Sequence, residues 1–340
     1  MSAKPSTPIP LPLEGKRYDK LISPLRSSLR RALAPWVVRE QALLLHIQKS
    51  VSHPLLDPYF AYTTYLGTHT CFMVILPILY WVGYAEVGRA MTFITLAGVF
   101  FSGFLKDAVC LPRPLPPVRR LTMSSTTHHL EYGFPSTHTT NAVGVTLYLW
   151  SILASYDGPW SSLAWYAAGL YGFSVSFGRI YCGMHGIVDV FAGGLLGTAL
   201  WAFWATYWDI VDTWRKFGSS DLWEMNTLLC LIIPLSSILT LTFPPHTTSL
   251  CAISVIMGVA LGTWSTPDIP SAEELGKRIR TILTSPPSLH TLFNQLPRRF
   301  IGIIIIFVWR IVVKVLCRVI LPPIYRLIQA PYRKFYRPAT

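Results

Sequence analysis

Three short polar strings hold most of the side chains in this sequence that could do chemistry. "KDAVCLPRP" carries Lys106 and Arg113, "FPSTH" carries Ser136, Thr137 and His138, and "GRIYCGMHGIVD" carries Arg179, His185 and Asp189. Lys106, Arg113 and Arg179 supply three cations, and a guanidinium is suited to paired hydrogen bonds with phosphate oxygens. Pro135, Ser136 and Thr137 mark a helix start, with Ser136 or Thr137 a good cap. The backbone donors and the positive dipole end at such a start bind phosphate well. His185 and Asp189 are four residues apart, so on a helix they share a face. The carboxylate can hold one imidazole nitrogen as N–H and leave the other to attack. His138, at the positive end of its helix, can donate a proton to a leaving oxygen. No carboxylate pair suited to two-metal chemistry accompanies these groups, which favours a metal-free phosphohydrolase.

Taken singly, each string has a plainer meaning. An arginine near a span end is ordinarily a snorkelling anchor, and a His–Asp pair is commonly structural. "PSTH" is a helix cap, and "KDAVCLPRP" is a basic loop beside a membrane. Parity joins them. If the span before "CLPRP" ends on one side, the next span begins there, the following one ends there, and the one after begins there. Lys106, Arg113, Ser136, His138, Arg179, His185 and Asp189 then all meet one membrane face.

The elements that must position them follow from composition. Of 340 residues, 51% are hydrophobic and 13% charged, and mean hydropathy is positive. Soluble domains carry about twice that charge fraction, so a polytopic membrane protein is expected. The net charge of +13 suits anionic head groups and phosphorylated substrates. Basic and aromatic residues are not arrayed on a polar surface as nucleic-acid modules require, so nucleic acid is not an expected partner. Six cysteines without CxxC spacing suggest neither a disulfide framework nor a zinc site. The first sixty residues lack the apolar stretch of a cleavable signal peptide.

Spans are expected near 65–83, 90–108, 138–156, 160–178, 187–207, 226–243 and 249–264, with "WAFWATYW" an aromatic belt closing the fifth. Ahead of them, Ser28 to Val51 mixes basic residues with Leu, Val and Trp36, as in an amphipathic helix lying on the membrane, with Pro35 kinking it or starting its second half. The final run, "FIGIIIIFVWRIVVKVLCRVIL", carries Arg310, Lys314 and Arg318 on one helical face. It is expected to span with that stripe toward helices or water, the alternative being a helix in the interface. The expected fold is therefore all-α, a polytopic transmembrane bundle of 7–8 spans. Its parts are a polar tail and interfacial helix (1–60), a catalytic core (61–210), further spans (211–264), a polar loop (265–298), and a final helix with a basic tail (299–340).

The three strings resemble the motifs of the type 2 phosphatidic acid phosphatase superfamily, which includes lipid phosphate phosphatases, glucose-6-phosphatase and vanadium haloperoxidases. The fuller strings "KDAVCLPRPLPPVRRLTMSS" and "EYGFPSTHTTNAV" are more similar still to sphingosine-1-phosphate phosphatases, called long-chain-base-1-phosphate phosphatases in fungi. The resemblance covers residues from about 55 to 210. It implies His185 as nucleophile, forming a phosphohistidine, and Asp189 as its orienting partner. His138 would protonate the departing alkoxide and then activate water. Lys106, Arg113, Ser136, the Thr137 amide and Arg179 would cradle the phosphoryl group, with no metal or cofactor. Two departures stand out, since the usual glycine of the second motif is Thr137 and the serine often found before the third-motif arginine is Gly178.

The resemblance further implies a phosphorylated sphingoid-base substrate and an endoplasmic reticulum membrane with the site facing the lumen. Span counting puts the basic N-terminal segment on the site's side, whereas positive-inside counting would hold that segment in the cytoplasm. The alternatives are a broader phosphatase for lipid phosphates or isoprenoid diphosphates, and a catalytically silent lipid-binding protein. Loss of motif residues would mark the silent protein, and all are present.

Overall fold

The computed structural model describes residues 23–82, 84–121, 132–154, 158, 160–217, 252–256, 258–259, 277 and 289–327, and among these it is helical with no strand. Helix α1 is Pro24–Val51 and α2 is Leu56–Thr63, followed by a 3₁₀ turn at Thr64–Gly67. Then come α3 (His69–Trp81), α4 (Ala85–Val109), α5 (Thr137–Leu153), α6 (Ser161–Tyr181), α7 (Ile187–Phe217) and α8 (Leu289–Leu327). Ala85–Val109, Ile187–Trp208 and Phe300–Ile320 are long and apolar enough to cross a membrane, and His69–Trp81 is a shorter apolar helix. The expected span at 226–243, and most of that at 249–264, lies outside the described residues.

Helix α5 packs against α4, α6 and α7. Close approach to α7 is possible because Gly193 and Gly197 recur one helical turn apart. A Cβ on Gly197 would sit 2.3 Å from the Thr140 carbonyl oxygen, and one on Gly193 would sit 2.6 Å from that of Ser136. Such small-residue faces let helix backbones touch where lipid gives no hydrophobic drive for association. Away from the three strings, Phe72, Leu76, Met91, Ile94, Val145, Tyr148 and Trp204 form a buried apolar cluster joining α3, α4, α5 and α7.

Several ends differ from expectation for physical reasons. The stretch expected as one span at 65–83 is broken, because Thr68 caps a new helix by accepting from the Cys71 N–H at 3.3 Å. Helix α4 begins earlier than expected, since Glu86 pairs with Arg89, whose guanidinium lies 5.2 Å over the Trp208 ring. These contacts let two charges occupy the first turn of an apolar helix. None of residues 300–320 of α8 is buried, though Gly302 faces Trp81 and Arg310 reaches the Met73 sulfur.

Helix α1 departs most from the sequence expectation. It runs unbroken through Pro35 and has Pro24 in its first turn, where the missing N–H costs nothing. Its buried residues are Ser27, Arg30, Val37, Glu40, Leu44 and Gln48, so largely polar groups face the protein. Arg26 donates to the carbonyls of Ala108 (2.9 Å) and Asp107, and Arg30 to that of Cys110 (3.1 Å). Cations at the last carbonyls of α4 suit the negative end of its dipole. Gln41 donates to the Leu115 carbonyl at 2.9 Å. Gln48 donates to the carbonyls of Arg119 (2.9 Å) and Tyr181 (3.0 Å) and accepts from the Arg119 N–H (3.0 Å). Arg26 and Arg30 thus bind the backbone of the first string, and the Gln48 amide binds that of the third.

Candidate active site

Helix α4 delivers Lys106 in its last turn and ends at Cys110, whose backbone is left-handed at φ 54°. Pro112 and Pro114 keep the following segment from resuming the helix. Arg113 is 5% exposed, and its Nη1 donates to the Met184 carbonyl at 2.9 Å and to His185 Nε2 at 3.3 Å. The first string thus meets the third directly.

The second string closes the arrangement. The Gly133 N–H donates to the Leu111 carbonyl at 2.8 Å, and the Ser136 N–H donates to the Asp189 carbonyl at 3.0 Å. Ser136, fully buried, is the N-cap of α5 and accepts from the Thr139 N–H and hydroxyl. Thr137, which stands where the resemblance expects glycine, shares a hydrogen bond of 2.7 Å with Ser102. Ser102 lies one turn before Lys106, so the added hydroxyl ties the start of α5 to the lysine's helix. His138 lies in the first turn of α5, beside Gly67 of the 3₁₀ turn.

The third string turns on itself between α6 and α7. Arg179, 7% exposed, sits in the last turn of α6, and its carbonyl accepts from the N–H groups of Met184 (3.0 Å) and His185 (3.2 Å). Gly183 takes φ +63°, which a residue with a Cβ rarely adopts, so "CGM" forms a tight turn. Burial pushes the Cys182 thiol up to about 11, so this cysteine is an inert part of the packing. His185 and Asp189 are each 1% exposed, with His185 Nδ1 3.4 Å from Asp189 Oδ2. Arg113 donating to Nε2 and the carboxylate facing Nδ1 both call for the tautomer protonated at Nδ1. The lone pair of Nε2 therefore points at Arg113.

Burial holds the His185 imidazole well below its usual pKa, with Arg113, Arg179, Lys106 and then His138 adding to the effect. The ring is neutral where histidines ordinarily titrate, and its Nε2 keeps a lone pair. Lys106 and His138 belong to the same electrostatic neighbourhood, so all eight residues singled out in the sequence gather at one end of the bundle. Among the described residues, no three His, Cys, Asp or Glu side chains group as metal ligands. His128 and His129, adjacent in a polar stretch whose side chains the sequence pattern leaves to solvent, lie outside the described residues.

Residues that the sequence did not single out also shape this end. Asp57 takes a two-point contact from Arg119 (2.8 and 3.0 Å) and a hydrogen bond from the Tyr181 hydroxyl (2.6 Å). Arg119 and Tyr181 hold its carboxyl below the usual range. This cluster pins the segment after Arg113 to the end of α6. Glu40 of α1 accepts from the Val188 N–H at 2.9 Å. Neither acid stands near a motif in sequence, so no local signal marks them.

A buried histidine with a guanidinium at Nε2 and a carboxylate at Nδ1, beside a capped helix start, is an arrangement able to handle a phosphoryl group in a membrane-embedded protein. Residues 86–215 match the PAP2 superfamily. Over 330 residues the chain is 37% identical to a dihydrosphingosine 1-phosphate phosphatase of Schizosaccharomyces pombe, covering 91% of this chain and 74% of that one. It is 31% identical over 264 residues to a dihydrosphingosine 1-phosphate phosphatase of Saccharomyces cerevisiae, covering 74% and 63%. A solved structure, the PAP2-type phosphatidylglycerolphosphate phosphatase of Bacillus subtilis, aligns at TM-score 0.42 and 21% identity over 55% of this chain and 94% of that one. The chain belongs to the PAP2 superfamily, in the branch of the sphingoid-base 1-phosphate phosphatases, and is a multi-pass membrane protein.

Proposed function

We propose that the protein hydrolyses long-chain-base 1-phosphates, such as dihydrosphingosine, phytosphingosine or sphingosine 1-phosphate, to the free base and phosphate in the endoplasmic reticulum membrane. One observation carries the mechanism: His185 is held between Asp189 at Nδ1 and Arg113 at Nε2. Arg113, Lys106 and Arg179, with the Thr137 N–H and Ser136 at the start of α5, take the phosphoryl oxygens. Arg113 exchanges its contact with Nε2 for one with phosphate, which exposes the lone pair. Nε2 then forms a bond to phosphorus as the bond to the lipid oxygen breaks, and His138 gives that oxygen its proton. Asp189 balances the positive charge that grows on the ring. His138, now neutral, takes a proton from water as that water attacks phosphorus, which releases phosphate and restores His185. The alkyl tail stays among the helices.

The test is a substrate panel on purified protein in detergent, with His185→Ala as control. Dihydrosphingosine 1-phosphate should exceed phosphatidic acid and isoprenoid diphosphate in kcat/KM, and His185→Ala should abolish release. A flat panel, or preference for a diphosphate, would reject the substrate assignment.

A further inference from the structure

Helix α7, which carries Asp189 and begins two residues after His185, has no cap of its own. The residue ahead of it is Gly186, whose missing side chain cannot accept from the first backbone donors. Half of a capping box is present, because Asp189 Oδ2 accepts from the Gly186 N–H at 3.0 Å. The other half comes from 148 residues away. Glu40 of α1, 8% exposed, places Oε2 2.9 Å from the Val188 nitrogen, and the Ile187 N–H also bonds to its carboxylate. The glycine is what admits it, since a Cβ at position 186 would lie 1.8 Å from Glu40 Oε1. Glycine at 186 and glutamate at 40 are therefore two parts of one device.

We propose that Glu40 is a positioning residue for the reaction: a helix cap supplied by α1 that fixes the first turn of α7 and thereby aims His185 and Asp189. The proposal rests on the phosphohistidine reading above. Glu40 lies outside residues 86–215, so α1 acts as part of the catalytic unit although the superfamily match begins after it. Neighbouring residues of α1 seat the carboxylate, since Arg26, Arg30, Gln41 and Gln48 bind the backbone between Asp107 and Arg119. Release of the cap would let the first turn of α7 tilt. A displacement of about 1 Å at the reacting atom costs on the order of 100-fold in rate.

The experiment compares Glu40→Ala, Glu40→Asp and Glu40→Gln with the wild type and His185→Ala. Turnover of dihydrosphingosine 1-phosphate is normalised to folded protein, and affinity for orthovanadate, which mimics the five-coordinate phosphorus, is read by calorimetry. Alanine removes the acceptor, and aspartate retracts it by about 1.5 Å while keeping the charge. Glutamine keeps an oxygen for the Val188 N–H and loses the charge. The cap predicts that Ala and Asp lower kcat by about 10- to 100-fold with KM within about threefold. Orthovanadate should weaken in step, and Gln should stay within about threefold of wild type. Wild-type kcat in Glu40→Ala, a loss carried by KM alone, or Gln as impaired as Ala overturns it. If Glu40→Ala does not fold, the order of Gln above Asp decides. A wild type inert toward the lipid overturns the substrate assignment alone, and the orthovanadate titration then decides for or against Glu40.

Discussion

Replacing Asp189 with asparagine tests the electrostatic half of the mechanism without changing shape. Asparagine can still offer an oxygen to His185 Nδ1 and the Gly186 N–H, which now meet one oxygen of Asp189 at 3.4 and 3.0 Å. What is lost is the charge opposite a ring that, in the proposed mechanism, becomes cationic as Nε2 bonds to phosphorus. Across 3.4 Å that charge is worth about 5 kcal/mol at an effective dielectric near 20, an upper bound. The lower bound is the margin of a charge-assisted over a neutral hydrogen bond, about 1 kcal/mol. A middle value near 3 kcal/mol corresponds to a loss of roughly 100-fold in kcat. KM should stay level or fall slightly, because the substrate is an anion and the ring gains charge only in the transition state. The assay is steady-state phosphate release from dihydrosphingosine 1-phosphate in mixed micelles, with thermal unfolding in detergent to confirm the fold. A folded Asp189→Asn protein within about threefold of wild-type kcat would refute the role given to the charge.

Other consequences follow from the same geometry. Since burial and then Arg113 hold the His185 pKa down, the acid limb of kcat/KM due to this ring should lie well below pH 6.5, and Arg113→Gln should move it upward while burial still keeps it below 6.5. The unfolded chain protonates this histidine near 6.5 and the folded one only at much lower pH, so its stabilising effect is present above about 6.5 and lost as pH falls; melting temperature against pH should show it. Gly197→Ala would drive a methyl group to 2.3 Å from the Thr140 carbonyl and should cost about 1–3 kcal/mol, whereas Gly194→Ala, with open space around it, should leave the melting temperature nearly unchanged.

The parts of this protein that were legible in its sequence are those governed by local pattern. Apolar runs placed α4 to α7 to within a few residues of their observed starts, apart from α4, whose Glu86–Arg89 pair extends it backward. Motif spacing and parity put Lys106, Arg113, Ser136, His138, Arg179, His185 and Asp189 on one membrane face, because both are read from short strings and span ends. Contacts between distant backbones left no such trace. The polar residues of α1 suggested a helix lying on a surface, because nothing local says that Glu40 will meet an N–H 148 residues later. The same holds for Asp57, whose partners are Arg119 and Tyr181. Thr137 looked like a departure from a pattern, and its partner Ser102, 35 residues earlier, gives it a bonding role.

The central claim is a covalent bond between His185 and phosphorus. Rapid quench of the purified protein with ³²P-labelled dihydrosphingosine 1-phosphate, followed by denaturation and peptide mapping, tests it directly. The account predicts label on the peptide containing His185, stable to base and labile to acid, and none in His185→Ala. Rapid turnover by a wild type that never carries label, or undiminished phosphate release by His185→Ala, would contradict it.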